Sequence, residues 1–168
     1  MNPIKSDARR PSRRTFALAA GTLAAAAVTA TATATAWANP AATQSPESVA
    51  LAFARAFNAR DLDALLALYP AGSVFVPAPG QALTTRDAIR QALQGFLAIG
   101  LPIAMTVRHV YGAGDTALLV VDWTIRGTGA DGRSVDLSGT GTDVVRRDAD
   151  GLWRYAVDNP FGGLKPSA

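Results

Sequence analysis

The stretch from Ile103 to Pro160 constrains this chain most, because it reads as four β-strands in sequence order with three nameable turns. The runs are Ile103–Tyr111, Thr116–Arg126, Ser134–Arg146 and Leu152–Asp158. Between them lie Gly112-Ala113-Gly114-Asp115, Gly127-Thr128-Gly129-Ala130-Asp131-Gly132 and Asp148-Ala149-Asp150-Gly151. Asp-Gly and Gly-Asp pairs supply the positive φ that hairpin turns require. β-Branched and aromatic residues in the runs suit a pleated, half-buried surface. Four such strands predict a curved antiparallel sheet whose one face is covered by the chain upstream. Parity assigns the faces. Leu119, Val121, Trp123 and Ile125 share one side, and Asp122, Thr124 and Arg126 share the other. Ile103, Met105 and Val107 share a face that His109 and Tyr111 extend. Trp153, Tyr155 and Val157 oppose Arg154, Ala156 and Asp158.

The covering elements are helical. Ser45-Pro46 is a helix start, with Ser at the N-cap and Pro at the first helical position. Val49, Ala52, Phe53, Ala56 and Phe57 then form one apolar stripe, which Asn58-Ala59-Arg60 breaks. Asp61 caps a second short helix with the stripe Leu62, Leu65, Leu66 and Tyr69, and Pro70 ends it. Ser73–Pro77 reads as a short strand, and Pro77-Ala78-Pro79-Gly80 as a loop. Thr84-Thr85-Arg86-Asp87 has the form of a capping box. A third helix follows, with Ala88, Ile89, Ala92, Leu93, Phe96 and Leu97 on one side and Gly100 at its C-terminal end.

Charge and composition narrow the function classes. The 168 residues are enough for one domain with a core. There is no cysteine, which excludes thiol catalysis and disulfides, and the single histidine, His109, excludes a multi-histidine zinc site. No metal or other cofactor is expected. Residues 1–38 hold five of the 16 basic residues (Lys5, Arg9, Arg10, Arg13, Arg14) and one of the 13 acidic ones (Asp7). The remainder keeps eleven basic and twelve acidic residues, a net of −1, so the formal +3 belongs to the leader. Nucleic-acid binding loses its electrostatic support.

That leader has a basic start, an Ala/Thr-rich apolar stretch from about Phe16 to Ala36, and the small-x-small site Ala36-Trp37-Ala38. Ser12-Arg13-Arg14-Thr15-Phe16-Ala17-Leu18 resembles the twin-arginine export signal. Cleavage after Ala38 would start the mature chain at Asn39. The alternative is a retained anchor, against which the weak insertion energy of Ala and Thr argues. Residues 1–38 are read as the signal, 39–44 as a linker, 45–162 as the domain and 163–168 as a tail. The mature protein is expected in the periplasm or beyond, touching the membrane only through export.

Three helices, a short strand after the second, then a long meander: the chain resembles the nuclear transport factor 2-like, or SnoaL-like, superfamily. The resemblance rests on Phe57-Asn58-Ala59-Arg60-Asp61-Leu62-Asp63-Ala64-Leu65, Leu68-Tyr69, Thr85-Arg86-Asp87-Ala88-Ile89 and Gly151-Leu152-Trp153-Arg154-Tyr155-Ala156-Val157-Asp158-Asn159-Pro160. It implies an α+β, cone-shaped barrel in which three N-terminal helices pack on a strongly bent antiparallel sheet. It also implies an apolar cavity at one end and a homodimer. Ketosteroid isomerases share this fold and use an Asp base with two donors, a Tyr and a protonated Asp. The equivalent positions here are Val76-Pro77 for the base, and Phe53 and Thr140 for the donors. Two of the three roles are missing, so no Δ5-3-ketosteroid turnover of that kind is expected; enzyme-like rates on such a steroid would refute this.

The remaining polar groups give the site candidates. Asp158, Asp122 and His109 are the catalytic candidates. The resemblance implies that Ala156, Asp158 and Pro160 face the cavity. Asp158 reads either as a buried acid–base group or as a salt-bridge partner or strand-end cap. Asp122 is placed to pair with Arg126 or Arg108 across strands. His109 is the one group with an ordinary pKa near neutrality. Phe53, Phe57, Tyr69, Phe75, Phe96 and Trp123 would line an apolar pocket or serve as core, with Thr140 and Asp158 as its polar members. Ser138, Thr140 and Thr142 alternate with Gly139 and Gly141, which read as the bend of the sheet. Three functions follow: a small-molecule binder with an apolar cavity, an acid–base enzyme (isomerase, cyclase or hydrolyase-like) using Asp158 or Asp122, or a dimeric interaction module without ligand. Burial of Asp158 with no cationic partner favours the second. An open cavity with paired carboxylates favours the first, and a filled cavity the third.

Overall fold

The structure is a computed structural model and describes residues 43–163. The leader, with Arg13, Arg14 and the Ala38 cleavage site, and residues 164–168 of the tail lie outside the described residues. The elements are α1 (Pro46–Asn58), α2 (Leu62–Ala67), β1 (Val74–Phe75), α3 (Arg86–Leu97), β2 (Ile103–Ala113), β3 (Thr116–Thr128), β4 (Ser134–Arg147) and β5 (Trp153–Asp158).

The helix signals act where the sequence puts them, with one change. Ser45 and Ser48 form a reciprocal box at the start of α1, with Pro46 at its first position. Arg60, with φ of 56°, reverses the chain between α1 and α2, and the Asp61 carboxylate accepts the Ala64 N–H. At α3 the cap is Thr85 alone, which accepts from Ala88 N–H. Thr84 stands one residue too early to close the expected box with Asp87. Asn58 ties α1 to the sheet: its amide donates to Ile103 O (2.9 Å) and accepts from Ile103 N (2.8 Å). It thus stands in for a missing neighbour strand at the start of β2.

The sheet has the order β1-β5-β4-β3-β2. β2 to β5 form the antiparallel meander, and β1 adds itself parallel to β5, with Val74 beside Val157 and Phe75 beside Asp158. The sheet is therefore mixed at this edge rather than wholly antiparallel. Thr43, expected in a linker, is buried and exchanges hydrogen bonds with the Trp153 backbone, so it covers the start of β5. The helices cover one face. Leu65, Leu66, Leu93, Leu119 and Val145 are fully buried there, each contributing about 2 kcal/mol by leaving water. Among the described residues no helix is long and apolar enough to cross a membrane.

Two register shifts change which side chains face inward. In β2, Val107 pairs with Val121, but His109 pairs with Val120, so Arg108 is the extra residue of a bulge. A one-residue slip turns every later side chain over. His109 and Tyr111 therefore leave the face of Ile103, Met105 and Val107 and stand exposed on the outer side, their rings 5.8 Å apart. In β5, Val144 pairs with Val157 but Val145 with Tyr155, which leaves Ala156 unpaired. That bulge lets both Tyr155 and Asp158 point inward, three residues apart.

Candidate active site

Between α1, α3 and the inner face of the sheet lies an apolar cavity of about 40 Å³. Its lining is Phe53 and Phe57 from α1, Phe75 from β1, Leu93 and Phe96 from α3, Ile103 and Met105 from β2, Val121, Trp123 and Ile125 from β3, Gly141 and Asp143 from β4, and Tyr155, Asp158 and Pro160 around β5. Phe96, Met105, Trp123 and Pro160 are half-buried and mark its mouth; Phe57, Leu93, Tyr155 and the two aspartates are buried and mark its floor. As it stands, the space holds roughly three water molecules.

The floor carries two acids. Asp143 is 2 % exposed and Asp158 6 %. The Tyr69 hydroxyl donates to Asp158 Oδ2, and the Asn159 backbone N–H donates to Asp143 Oδ1 at 3.0 Å. No other hydrogen bond reaches either carboxyl among the described residues. Yet no sealed side-chain polar atom lacks a partner, so the second oxygen of each keeps some accessible surface, and both residues line the cavity. The Tyr155 hydroxyl is in the same position. Neither acid has an ion pair among the described residues, whereas Asp63, Asp115, Asp122, Asp131, Asp136, Asp148 and Asp150 all meet arginines.

Electrostatics follow from that isolation. Burial pushes the Asp158 carboxyl up to about 6, against the pull of the Tyr69 hydroxyl. Burial, and then the charge of Asp158, push Asp143 well above the usual carboxylate range, against the Asn159 N–H. Two carboxyls in one buried pocket resist ionising together, so they titrate as a pair. Burial and then the charge of Asp158 also raise both Tyr69 and Tyr155, which stay neutral.

A turn at the mouth holds this floor in place. Trp123 Nε1 donates to Pro160 O at 2.8 Å. Thr142 N donates to Asn159 O, and Asn159 Nδ2 to Gly162 O. Gly139 and Gly141 make room. A Cβ on Gly139 would lie 2.9 Å from the Trp123 indole, and one on Gly141 would lie 3.3 Å from Asn159 O and from Asp143 Oδ1. The two glycines thus allow close approach of an indole and of the C-terminal turn.

Of the residues singled out from sequence, Phe53, Phe57, Phe75, Phe96, Trp123 and Asp158 line the cavity. Asp158 is neither salt-bridged nor exposed as a cap. Tyr69 does not itself line the cavity; it stands behind the lining, bonded to Asp158, stacked on Tyr155 and edge-on to Phe75, and it borders a separate cleft with Arg86 and Thr84. Thr140 does not face the cavity. Strand parity turns it outward, where its hydroxyl donates to Asp122 Oδ1 at 2.7 Å. Asp122 is on that outer face too, held by Nε and Nη2 of the Arg108 guanidinium. The Arg108 and Thr140 hydrogen bonds lower its pKa, which suits an ion pair and not a proton carrier. His109 is outside for the reason given above, so two of the three catalytic candidates are remote from the cavity. Ala156, the unpaired residue of the β5 bulge, is not among the lining residues. Asp143 is the residue sequence reasoning missed. Its signal is parity: it shares a face with Gly139, Gly141 and Val145 and pairs with buried Leu119.

The described residues thus form an α+β domain with an apolar cavity under a curved sheet, lined at its floor by two carboxyls and a tyrosine. Residues 50–156 match the model of the SnoaL-like domain, and the chain belongs to that family. No curated protein matches it. Among solved structures it is similar to a ketosteroid isomerase-like protein from Erwinia carotovora atroseptica SCRI1043, at 25% identity and a TM-score of 0.59, over 67% of this chain and 89% of that one. A candidate dehydratase of the NTF2-like family from Streptomyces avermitilis matches at 24% identity and a TM-score of 0.56, over 69% and 92%. A candidate ketosteroid isomerase from Shewanella frigidimarina matches at 17% and 0.57, over 67% and 91%.

Proposed function

We propose that the protein is an exported acid–base enzyme of the isomerase or dehydratase kind, acting on a small molecule held over Asp158 and Asp143. One observation carries this: two carboxyls, each with a free oxygen, share an apolar floor with no cation. Near neutral pH such a pair holds one proton between two oxygens that face the same space. Asp158, with a pKa of about 6, takes a proton from the substrate as the base. Asp143, raised by burial and by the charge of Asp158, keeps the pair's proton and donates its hydrogen bond to the charge that develops. Tyr69 positions Asp158 and moderates its basicity. The ketosteroid isomerase set stays incomplete, because Phe53 has no hydroxyl, Thr140 faces outward and Val76-Pro77 supplies no carboxylate. Neighbours named for isomerases and a dehydratase support the class of reaction and not the substrate.

The same reading places the mature chain outside the cytoplasm through the Arg13-Arg14 signal, and pairs two copies through the outer sheet face. Tyr111, 58 % exposed, and Leu118 lie opposite each other there; a monomer by light scattering at micromolar concentration would end the pairing idea.

Proton abstraction can be tested without knowing the product. Small carbonyl compounds, plain and amine-bearing, are incubated with the protein in D2O and followed by proton NMR. The wild type is expected to wash deuterium into the carbon next to the carbonyl, and Asp158→Asn to lose this by about 10²-fold or more. Equal rates for the two proteins, or no exchange across the set, would leave a binding protein instead.

A further inference from the structure

We infer that the cavity is shaped for a small organic cation, a protonated amine, in preference to a neutral or anionic ligand of the same size. This rests on the carboxyl pair of the reading above, but concerns what is bound and not whether a proton is moved. Three features of the cavity agree. Its walls include aromatic rings from separate elements: Phe53, Phe75, Phe96, Trp123 and Tyr155. A ring face attracts a cation through its quadrupole, most strongly where water is excluded. The floor offers acceptor oxygens from Asp143 and Asp158, with the Tyr155 hydroxyl beside them. No Lys, Arg or His is among the lining residues.

That third feature decides between ligand classes. A carboxylate buried without a counter-charge is destabilising, and the usual remedy is a partner cation. Among the described residues seven other aspartates meet arginines, and of the two buried aspartates neither does. An ammonium ion entering the cavity provides the missing charge. An alcohol or ketone leaves the charge uncompensated, and a carboxylate adds repulsion. Size sets a further limit, since the space takes an ammonium group with a short chain pointing to the mouth at Trp123 and Pro160.

Binding then carries a proton signature. The titratable groups facing the pair are Asp143 on β4, Tyr155 and Asp158 on β5, and Tyr69 after α2; α1, α3, β1, β2 and β3 contribute none to the lining. Both tyrosines stay neutral. An ammonium favours the ionised pair, so the complex releases a proton, and affinity rises as pH passes upward through about 6.

Calorimetry on the full chain with n-butylamine, 1-butanol and butyrate tests this, in two buffers of different ionisation enthalpy. Butylamine is expected to bind about tenfold or more tighter than butanol, with proton release, and butyrate to bind weakest. Asp158→Asn is expected to bring amine and alcohol to similar affinity. Butanol binding as tightly as butylamine, or no butylamine binding to the wild type, overturns the inference. The comparison among probes uses wild-type protein, so it stands even where the variant folds poorly. Amine preference without deuterium exchange would sink the enzyme reading alone; exchange without amine preference would sink this one alone.

Discussion

The hydroxyl of Tyr69, just past the end of α2, donates to Asp158 at the end of β5, 89 residues further along the chain. Burial raises the Asp158 pKa and this hydrogen bond opposes the rise. Tyr69→Phe keeps the ring stacked on Tyr155, whose centroid is 5.1 Å away, and removes only the donor. The Asp158 pKa is therefore expected to climb further above about 6, read from the carboxyl carbon shift by NMR. Stability at pH 8, where Asp158 is ionised, is expected to fall by about 1–3 kcal/mol, with less loss at pH 5. An unchanged titration would mean that the hydroxyl does not hold the carboxylate.

The raised pKa of Asp158 also sets a pH dependence of folding. Burial pushes the group up to about 6 in the folded state, from an ordinary value of 3.8. Between those values the folded state keeps a proton that the unfolded chain has lost. Stability from this group is complete below about pH 4 and is lost as pH rises through about 6. The shift corresponds to roughly 3 kcal/mol. Asp143 acts in the same direction, while surface Asp122 and Asp150, with lowered pKa values, act in the opposite one. The difference between wild type and Asp158→Asn isolates the contribution. In urea unfolding from pH 4 to 8, the variant is expected to gain on the wild type as pH rises. A wild type that gains on the variant over that range would contradict the burial of a poorly compensated acid.

The mouth of the cavity depends on a missing side chain. Gly139→Ala puts a Cβ 2.9 Å from the Trp123 indole, which cannot move without loosening Nε1 from Pro160 O. Overpacking of this kind costs about 1–3 kcal/mol. The expected outcome is a lower unfolding midpoint and a red-shifted tryptophan emission. Gly112→Ala is the control, since nothing lies within 4 Å of its Cβ position. Equal effects from the two substitutions would rule out the contact with Trp123 as the cause.

Much of this fold is legible in local chemistry. Ser45-Pro46, Asp61 and the Gly-Asp turns act through neighbours a few residues away, so helix starts and hairpins fall where those residues put them. β3, without a bulge, keeps its alternation along its length, and Leu119, Val121 and Ile125 are buried as parity requires. The site is less legible because two bulges govern it. Arg108 turns His109 outward, and Ala156 lets Tyr155 and Asp158 face inward together. Neither residue has a bulge signature, since each fits a regular strand. Asp143 was hidden differently. A carboxylate between Thr142 and Val144 reads as a surface residue until its pairing with Leu119 is known. Asp158 is tied to Tyr69 from the other end of the domain, and no spacing rule connects positions that far apart.

The proposed export through the twin-arginine-like leader makes a separate prediction. Arg13 and Arg14 would be read there as a pair, and lysine, though equally charged, lacks the planar fork of arginine. Replacing both by lysine in the full chain is expected to hold the protein in the cytoplasm at full length. The wild type is expected outside it, shortened by residues 1–38. Cell fractionation and intact-mass measurement read both. A variant exported and shortened like the wild type would remove the arginine pair from the account, and export would then rest on the apolar stretch and the Ala36-Trp37-Ala38 site alone.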